Sequence, residues 1–109
     1  MKPNDFKTFV LLMTAVYHKA FGEQLDELPH GKAQILSWYI YEQTDRMLSY
    51  KSLGNYIRAV LDQTPESINP SATTLSILIQ YLRSQKGAGG PDKTLWYTFR
   101  KEHIQAVSL

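Results

Sequence analysis

Apolar residues recur every three or four positions along most of this 109-residue chain, which is the spacing of one face of an α-helix. No segment alternates apolar and polar residues as a half-buried strand does. Turns rich in glycine, proline and asparagine divide the chain. This pattern predicts one all-α domain over residues 1–109, a compact bundle of about five helices. The expected helices cover about residues 4–21, 32–43, 49–63, 71–84 and 92–106.

The expected boundaries rest on capping residues and helix breakers. Asn4, Ser49 and Ser71 have side chains that suit the N-caps of the first, third and fourth helices. Gly22 is expected to end the first helix. The segments TPESINP and QKGAGGP cannot continue a helix, and they separate the last three helices.

The fourth helix is predicted to be apolar over most of its circumference. Only a narrow stripe is expected to meet water, and it consists of Ala72, Ser76, Gln80 and Arg83. Such a helix lies either at the centre of the fold or in an interface with a partner.

The composition limits the classes of function. The chain has no cysteine, which excludes a disulfide framework, a cysteine nucleophile and a thiolate zinc site. A net charge of +2 permits contact with nucleic acid. The longest apolar run, Phe9 to Met13, is too short to cross a bilayer, and the start of the chain lacks a signal-peptide pattern. We therefore expect a cytoplasmic protein with no membrane association.

The third helix is strongly two-sided. On a helical wheel Leu53 and Ile57 lie on one side, and four polar residues lie on the other: Lys51, Asn55, Arg58 and Asp62. We call these four residues the polar stripe. Asparagine pairs with adenine, arginine pairs with guanine, and lysine binds phosphate well. The stripe therefore predicts a DNA-binding surface.

The second and third helices, Lys32–Gln43 and Ser49–Gln63, are joined by the short connector TDRML. Two helices in this order have the layout of a helix-turn-helix pair. The predicted function is binding of double-stranded DNA in a regulatory context, with Lys51, Asn55 and Arg58 facing the groove. Lys32 and Arg46 are expected to contact the phosphate backbone.

The segment from about residue 33 to 100 resembles a small bacterial helix-turn-helix-like module. The motifs of that type are an E-x-T turn, an S-x-x-[ST]-L helix start, a P-S-x-x-T-L-x-x-L-x-x-Y segment and a W-x-x-F helix. The resemblance implies the same helix-turn-helix-like fold here. Such modules have basic residues after S-x-x-[ST]-L, where this chain has Gly54 and Asn55. The matching residues are Glu42, Thr44, Ser49, Ser52, Leu53, Pro70, Ser71, Thr74, Leu75, Leu78, Tyr81, Trp96 and Phe99.

A second hypothesis is a protein-interaction or oligomerisation module without DNA binding, whose partner is another protein or a second copy. Trp38 and Tyr41 fall on the outer side of the second helix, and they form an aromatic patch if no helix covers them. Ile77 and Tyr81 of the broad apolar fourth helix are the other expected interface residues.

Other chemistry finds little support in the residues. The run GAGGPDKT departs from a phosphate-binding loop because Asp92 stands where the second glycine belongs. The acidic loop containing Glu23, Asp26, Glu27 and His30 matches no ligand spacing of a metal site. No nucleophile motif or paired carboxylates stand out. We therefore expect no enzyme activity, no metal site and no cofactor.

Overall fold

The computed structural model describes residues 1–27, 31–85 and 94–107. Within these ranges the chain is helical and forms no strand, which confirms the predicted all-α bundle. The helices are α1 (Pro3–Phe21), α2 (Lys32–Thr44), α3 (Tyr50–Asp62), α4 (Ala72–Leu82) and α5 (Thr94–Val107), with a 3-10 turn at Pro65–Ser67. None of the described helices has the length and apolar character that a membrane span requires.

Two serine caps are confirmed. The Ser49 hydroxyl accepts a hydrogen bond of 3.1 Å from the backbone N–H of Lys51 at the start of α3. The Ser71 hydroxyl accepts one of 3.1 Å from the N–H of Thr74 at the start of α4. Each serine satisfies a backbone donor that has no partner inside the helix.

The predicted cap at Asn4 is wrong, because α1 already begins at Pro3. Proline is favourable at the first helical position, since its φ is preset and its missing N–H would have no partner there. The N-cap position falls to Lys2, whose side chain makes no capping hydrogen bond.

Helices α1, α2 and α3 end on residues in the left-handed region of backbone conformation. Gly22 ends α1 as predicted, with φ 67°, and its N–H donates to the His18 carbonyl at 2.7 Å. Asp45 and Gln63 hold the same conformation after α2 and α3, with φ 60° and 56°. α4 stops at Leu82, two residues before the predicted end. The predicted start of α5 near residue 92 lies outside the described residues.

α4 lies at the centre of the bundle, packed against α1, α2 and α5. The expected water-facing stripe of α4 is wrong for Ser76 and Gln80, which are buried, whereas Arg83 is exposed and Ala72 is half-buried. Arg83, on the same side of α4, forms an ion pair with Glu102 of α5, with 3.3 Å between Nη2 and Oε2. α5 therefore covers the side of α4 that was expected to face water.

Polar contacts fasten the two ends of the described chain to the bundle. Arg100 of α5 pairs with Asp5 of α1, with 2.7 Å between Nη1 and Oδ1. The amino group of Met1 donates to the carbonyls of Pro65 and Ile68 at 2.8 and 2.6 Å. These contacts hold α1 against both α5 and the turn that follows α3.

Candidate nucleic-acid interface

α3 has the orientation that its apolar spacing predicted. Leu53 and Ile57 are fully buried against the rest of the bundle. All four residues of the polar stripe are exposed on the opposite side. Gly54 is buried within the helix, a position where the absence of a side chain allows close packing. The helix is therefore held by one side and offers the other to solvent.

The connector between α2 and α3 is fixed by side-chain hydrogen bonds. Ser37 of α2 donates to the carbonyl of Leu48, and both residues are buried. The Thr44 hydroxyl, also buried, donates to the Ile40 carbonyl at 2.7 Å and accepts from the N–H of Arg46 at 3.2 Å. These contacts set where α3 begins relative to α2, so the polar stripe stands on a packed support.

The two cations of the stripe face water without an acidic partner. Among the residues that the structure describes, no carboxylate lies within ion-pair distance of Lys51 or Arg58. Asp62 lies one turn after Arg58 and is exposed on the same side. Its negative charge lowers the positive potential at that end of the stripe. The basic character is therefore concentrated between Lys51 and Arg58.

The expected phosphate contacts are placed less favourably. The Lys32 amino group lies 3.3 Å from a Glu23 carboxylate oxygen and 4.1 Å from the centre of the Phe21 ring. This side chain is thus engaged within the protein, near the end of α1. Arg46 is half-buried in the connector. Neither residue extends the exposed positive surface as Lys51 and Arg58 do.

The residues of the interaction hypothesis separate into two groups. Trp38 and Tyr41 are exposed, with ring centres 6.1 Å apart. Ile77 and Tyr81 lie in the core, where α4 is enclosed by other helices. A partner surface in the described chain therefore has to be built around α2, without these two residues of α4.

Tyr50 is exposed, although a helical wheel puts it toward the apolar flank of α3. It is the first residue of the helix and follows the connector directly. A wheel gives the direction of a side chain but not whether a neighbouring helix extends far enough to cover it. Tyr50 thus adds an aromatic ring beside Lys51.

One lysine is held at the end of α4. The Lys19 amino group donates to the Tyr81 carbonyl and to the Ser84 hydroxyl, the latter at 2.7 Å. It also lies 4.7 Å from the centre of the Tyr81 ring. Partial burial lowers the pKa of this lysine, while burial raises the pKa of Tyr81. The contacts resemble a cap on the carbonyl end of a helix. They give Lys19 a structural role at the end of α4.

The described residues hold no group of three or more metal-ligating side chains suited to an ion. His30 of the acidic loop lies outside the described ranges, as does GAGGPDKT up to Lys93. Comparisons with protein-family models, with curated proteins and with solved structures found no match.

Proposed function

We propose that the polar stripe of α3 binds double-stranded DNA, and that the protein acts as a regulatory factor in the bacterial cytoplasm. The observation that carries the proposal is the exposure of Lys51, Asn55 and Arg58 along one side of a capped, well-packed helix. The bacterial setting rests on the resemblance to helix-turn-helix-like modules.

The chemistry of the stripe suits a duplex. Lys51 and Arg58 carry positive charges that are not neutralised by described carboxylates, so both are available to phosphates or to guanine. Asn55 lies between them, and its amide can donate and accept together at an adenine edge. α2 packs against α3 and supports it, as the first helix of such a pair does.

The test is binding of fluorescent mixed-sequence duplex DNA, measured by anisotropy as salt is raised. The logarithm of affinity should fall with the logarithm of salt, with a slope of about −0.9 for each phosphate contact. The double variant Lys51→Ala/Arg58→Ala should bind more weakly and lose roughly two units of slope if both cations contact phosphate. Because both side chains are exposed, the free energy of unfolding should change by less than about 0.5 kcal/mol.

A matched control removes the same charge elsewhere. Lys7 and Lys101 are exposed on α1 and α5, so Lys7→Ala/Lys101→Ala lowers the net charge equally while leaving α3 intact. This control should keep most of the affinity. Equal losses in the two double variants would mean that net charge alone attracts the duplex. No binding even at low salt would overturn the proposal.

Substitution of Asp62 should change DNA affinity in the opposite direction. Its carboxylate lies on the stripe and repels phosphate, so Asp62→Asn should tighten binding several-fold at low salt and have less effect at high salt. A tightened complex would place the DNA along α3. An unchanged affinity would argue that the duplex contacts another surface.

A further inference from the structure

The side of α2 opposite to its buried residues is unusually apolar. Three side chains define this outer face of α2, and their exposed fractions are 44% for Ile35, 56% for Trp38 and 42% for Tyr41. Tyr39 lies on the flank toward α1, where its ring centre is 6.0 Å from that of Phe21. Exposed tryptophan and tyrosine are typical of residues that dominate binding energy in protein interfaces. In the described chain no helix covers this face.

We propose that a second copy of this chain covers the outer face of α2, giving a symmetric dimer. The exposed area of the face is sufficient for such a dimer. An aromatic side chain buries about 150–250 Å², so the half-exposed face presents roughly 300–400 Å² of surface. Two faces with their polar rims bury on the order of 1,000 Å², the lower limit for a specific interface. The expected dissociation constant is on the order of 10–100 µM.

The charge of the face also permits self-association. A two-fold dimer brings each patch against the same patch of its partner, so a strongly charged patch would repel itself. Glu42 is the acidic residue beside the outer face, and the nearby cation Lys32 is already paired with Glu23. The face therefore carries one negative charge, at Glu42, and meets a copy of itself without strong repulsion when the two glutamates lie apart.

The order of residues along α2 favours an antiparallel pair of helices. Trp38 lies near the middle of the outer face, with Gln34 one turn before it and Glu42 one turn after it. An antiparallel pair with its two-fold axis beside Trp38 brings Gln34 to the level of the partner's Glu42. An amide and a carboxylate then lie within reach at both ends of the seam, and no two like charges meet.

The interface extends beyond α2 at one end. The hydroxyl of Ser37 lies 3.5 Å from the sulfur of Met47 in the connector. This contact places Met47, which is 60% exposed, against the flank of α2 at Ser37. A flexible thioether beside rigid rings allows the two surfaces to adapt to one another.

The test is analytical ultracentrifugation of the full chain without DNA, from about 1 to 500 µM. The wild type should show a reversible monomer–dimer equilibrium. Trp38→Glu places two like charges at the axis and should raise the dissociation constant at least about thirtyfold. Tyr97→Glu is the matched control, because Tyr97 is an exposed aromatic of α5, away from the face; it should leave dimerisation unchanged.

A second set of variants keeps the apolar face intact. Gln34→Glu sets two acidic residues at one level and should weaken the dimer several-fold, whereas Gln34→Lys should strengthen it. The double exchange Gln34→Glu/Glu42→Gln restores the amide–carboxylate pairing and should restore the wild-type constant. Circular dichroism checks that each variant is folded.

A monomer at every concentration would overturn this proposal, and so would equal effects of Trp38→Glu and Tyr97→Glu. Either result would assign the outer face to a different partner or to none. The measurement contains no DNA, so its outcome is independent of whether the polar stripe binds a duplex. The same dimer bound to DNA would contribute two copies of α3.

Discussion

Helices α2 and α4 are both apolar around much of their circumference, but only α4 is enclosed. α4 contacts α1, α2 and α5, and its buried residues include Leu78 and even the polar Gln80. α2 buries Leu36 and Ile40 on its inner side, while Trp38 and its neighbours remain open to solvent. Both helices therefore lack a broad polar face. In α4 the reason is enclosure by other helices, and in α2 it is that apolar side chains occupy the exposed side.

The comparison shows that the apolar character of a helix does not by itself locate it in a fold. An apolar side chain is stabilised when it is removed from water, whether by another helix of the same chain or by a partner. α4 obtains this cover from within the chain. α2 retains an uncovered outer face, which is the surface that we propose a second copy of the chain covers.

The largest expected effect separates the two helices by stability. Leu78→Ala should lower the free energy of unfolding by about 2–5 kcal/mol, because it leaves a cavity at a fully buried site. Ile35→Ala on the outer face should cost the monomer less than about 1 kcal/mol, because that side chain is 44% exposed. Urea denaturation measures both changes in the free energy of unfolding. The protein concentration should be below about 5 µM, where the monomer dominates. Similar losses at the two sites would contradict the comparison.

A smaller effect follows from the burial of Tyr81. Burial, with a contribution from Tyr39, raises the pKa of this phenol above its usual value of 10.0. Above pH 10 the unfolded chain loses the proton while the folded chain keeps it, so stability falls as pH rises. The fall is at most about 1.4 kcal/mol per pH unit. Tyr81→Phe should therefore gain stability relative to wild type as pH increases from 9 to 11.

Two neighbouring groups must be considered in that measurement. Lys19 contacts Tyr81, and its lowered pKa acts in the opposite direction, because the folded protein releases this proton before the unfolded chain does. Burial also raises the pKa of Tyr17. Both groups are present in wild type and in Tyr81→Phe, so the difference between the two proteins isolates Tyr81. A difference that stays constant with pH would show that Tyr81 is accessible to water.

The smallest effect concerns Gln80. Its amide oxygen is buried and has no hydrogen-bond partner within the described part of the chain. A buried polar atom without a partner is destabilising, so Gln80→Met should leave stability unchanged or raise it by up to about 1 kcal/mol. Gln34→Met on the exposed side of α2 is the comparison, with no expected gain in the monomer. A marked loss in Gln80→Met would mean that the amide makes a contact that stabilises the native state.

Local interactions made much of this fold predictable from the sequence. The caps at Ser49 and Ser71 depend on atoms within three residues of one another, and Gly22 ends α1 through its own backbone freedom. The orientation of α3 follows from the separation of its apolar and charged residues around one helix. These features need no knowledge of how distant segments pack.

Features that depend on distant segments were not predictable in this way. Burial of Ser76 and Gln80 requires the position of α5, and the engagement of Lys32 requires the loop that brings Glu23 near it. The helical wheel placed Trp38 on the outer side of α2. It gave no information on whether another helix would cover that side, so the open aromatic face emerged only from the assembled bundle.

The packing of α1 has a consequence for synthesis of the protein. α1 buries Phe9, Leu12 and Met13 mainly against helices that follow much later, above all α4. At roughly 5–20 residues per second, α4 is completed several seconds after α1. During this delay the nascent α1 exposes a continuous row of large apolar side chains. Until the fourth helix has been synthesised, the growing chain is therefore more prone to aggregation than the folded protein.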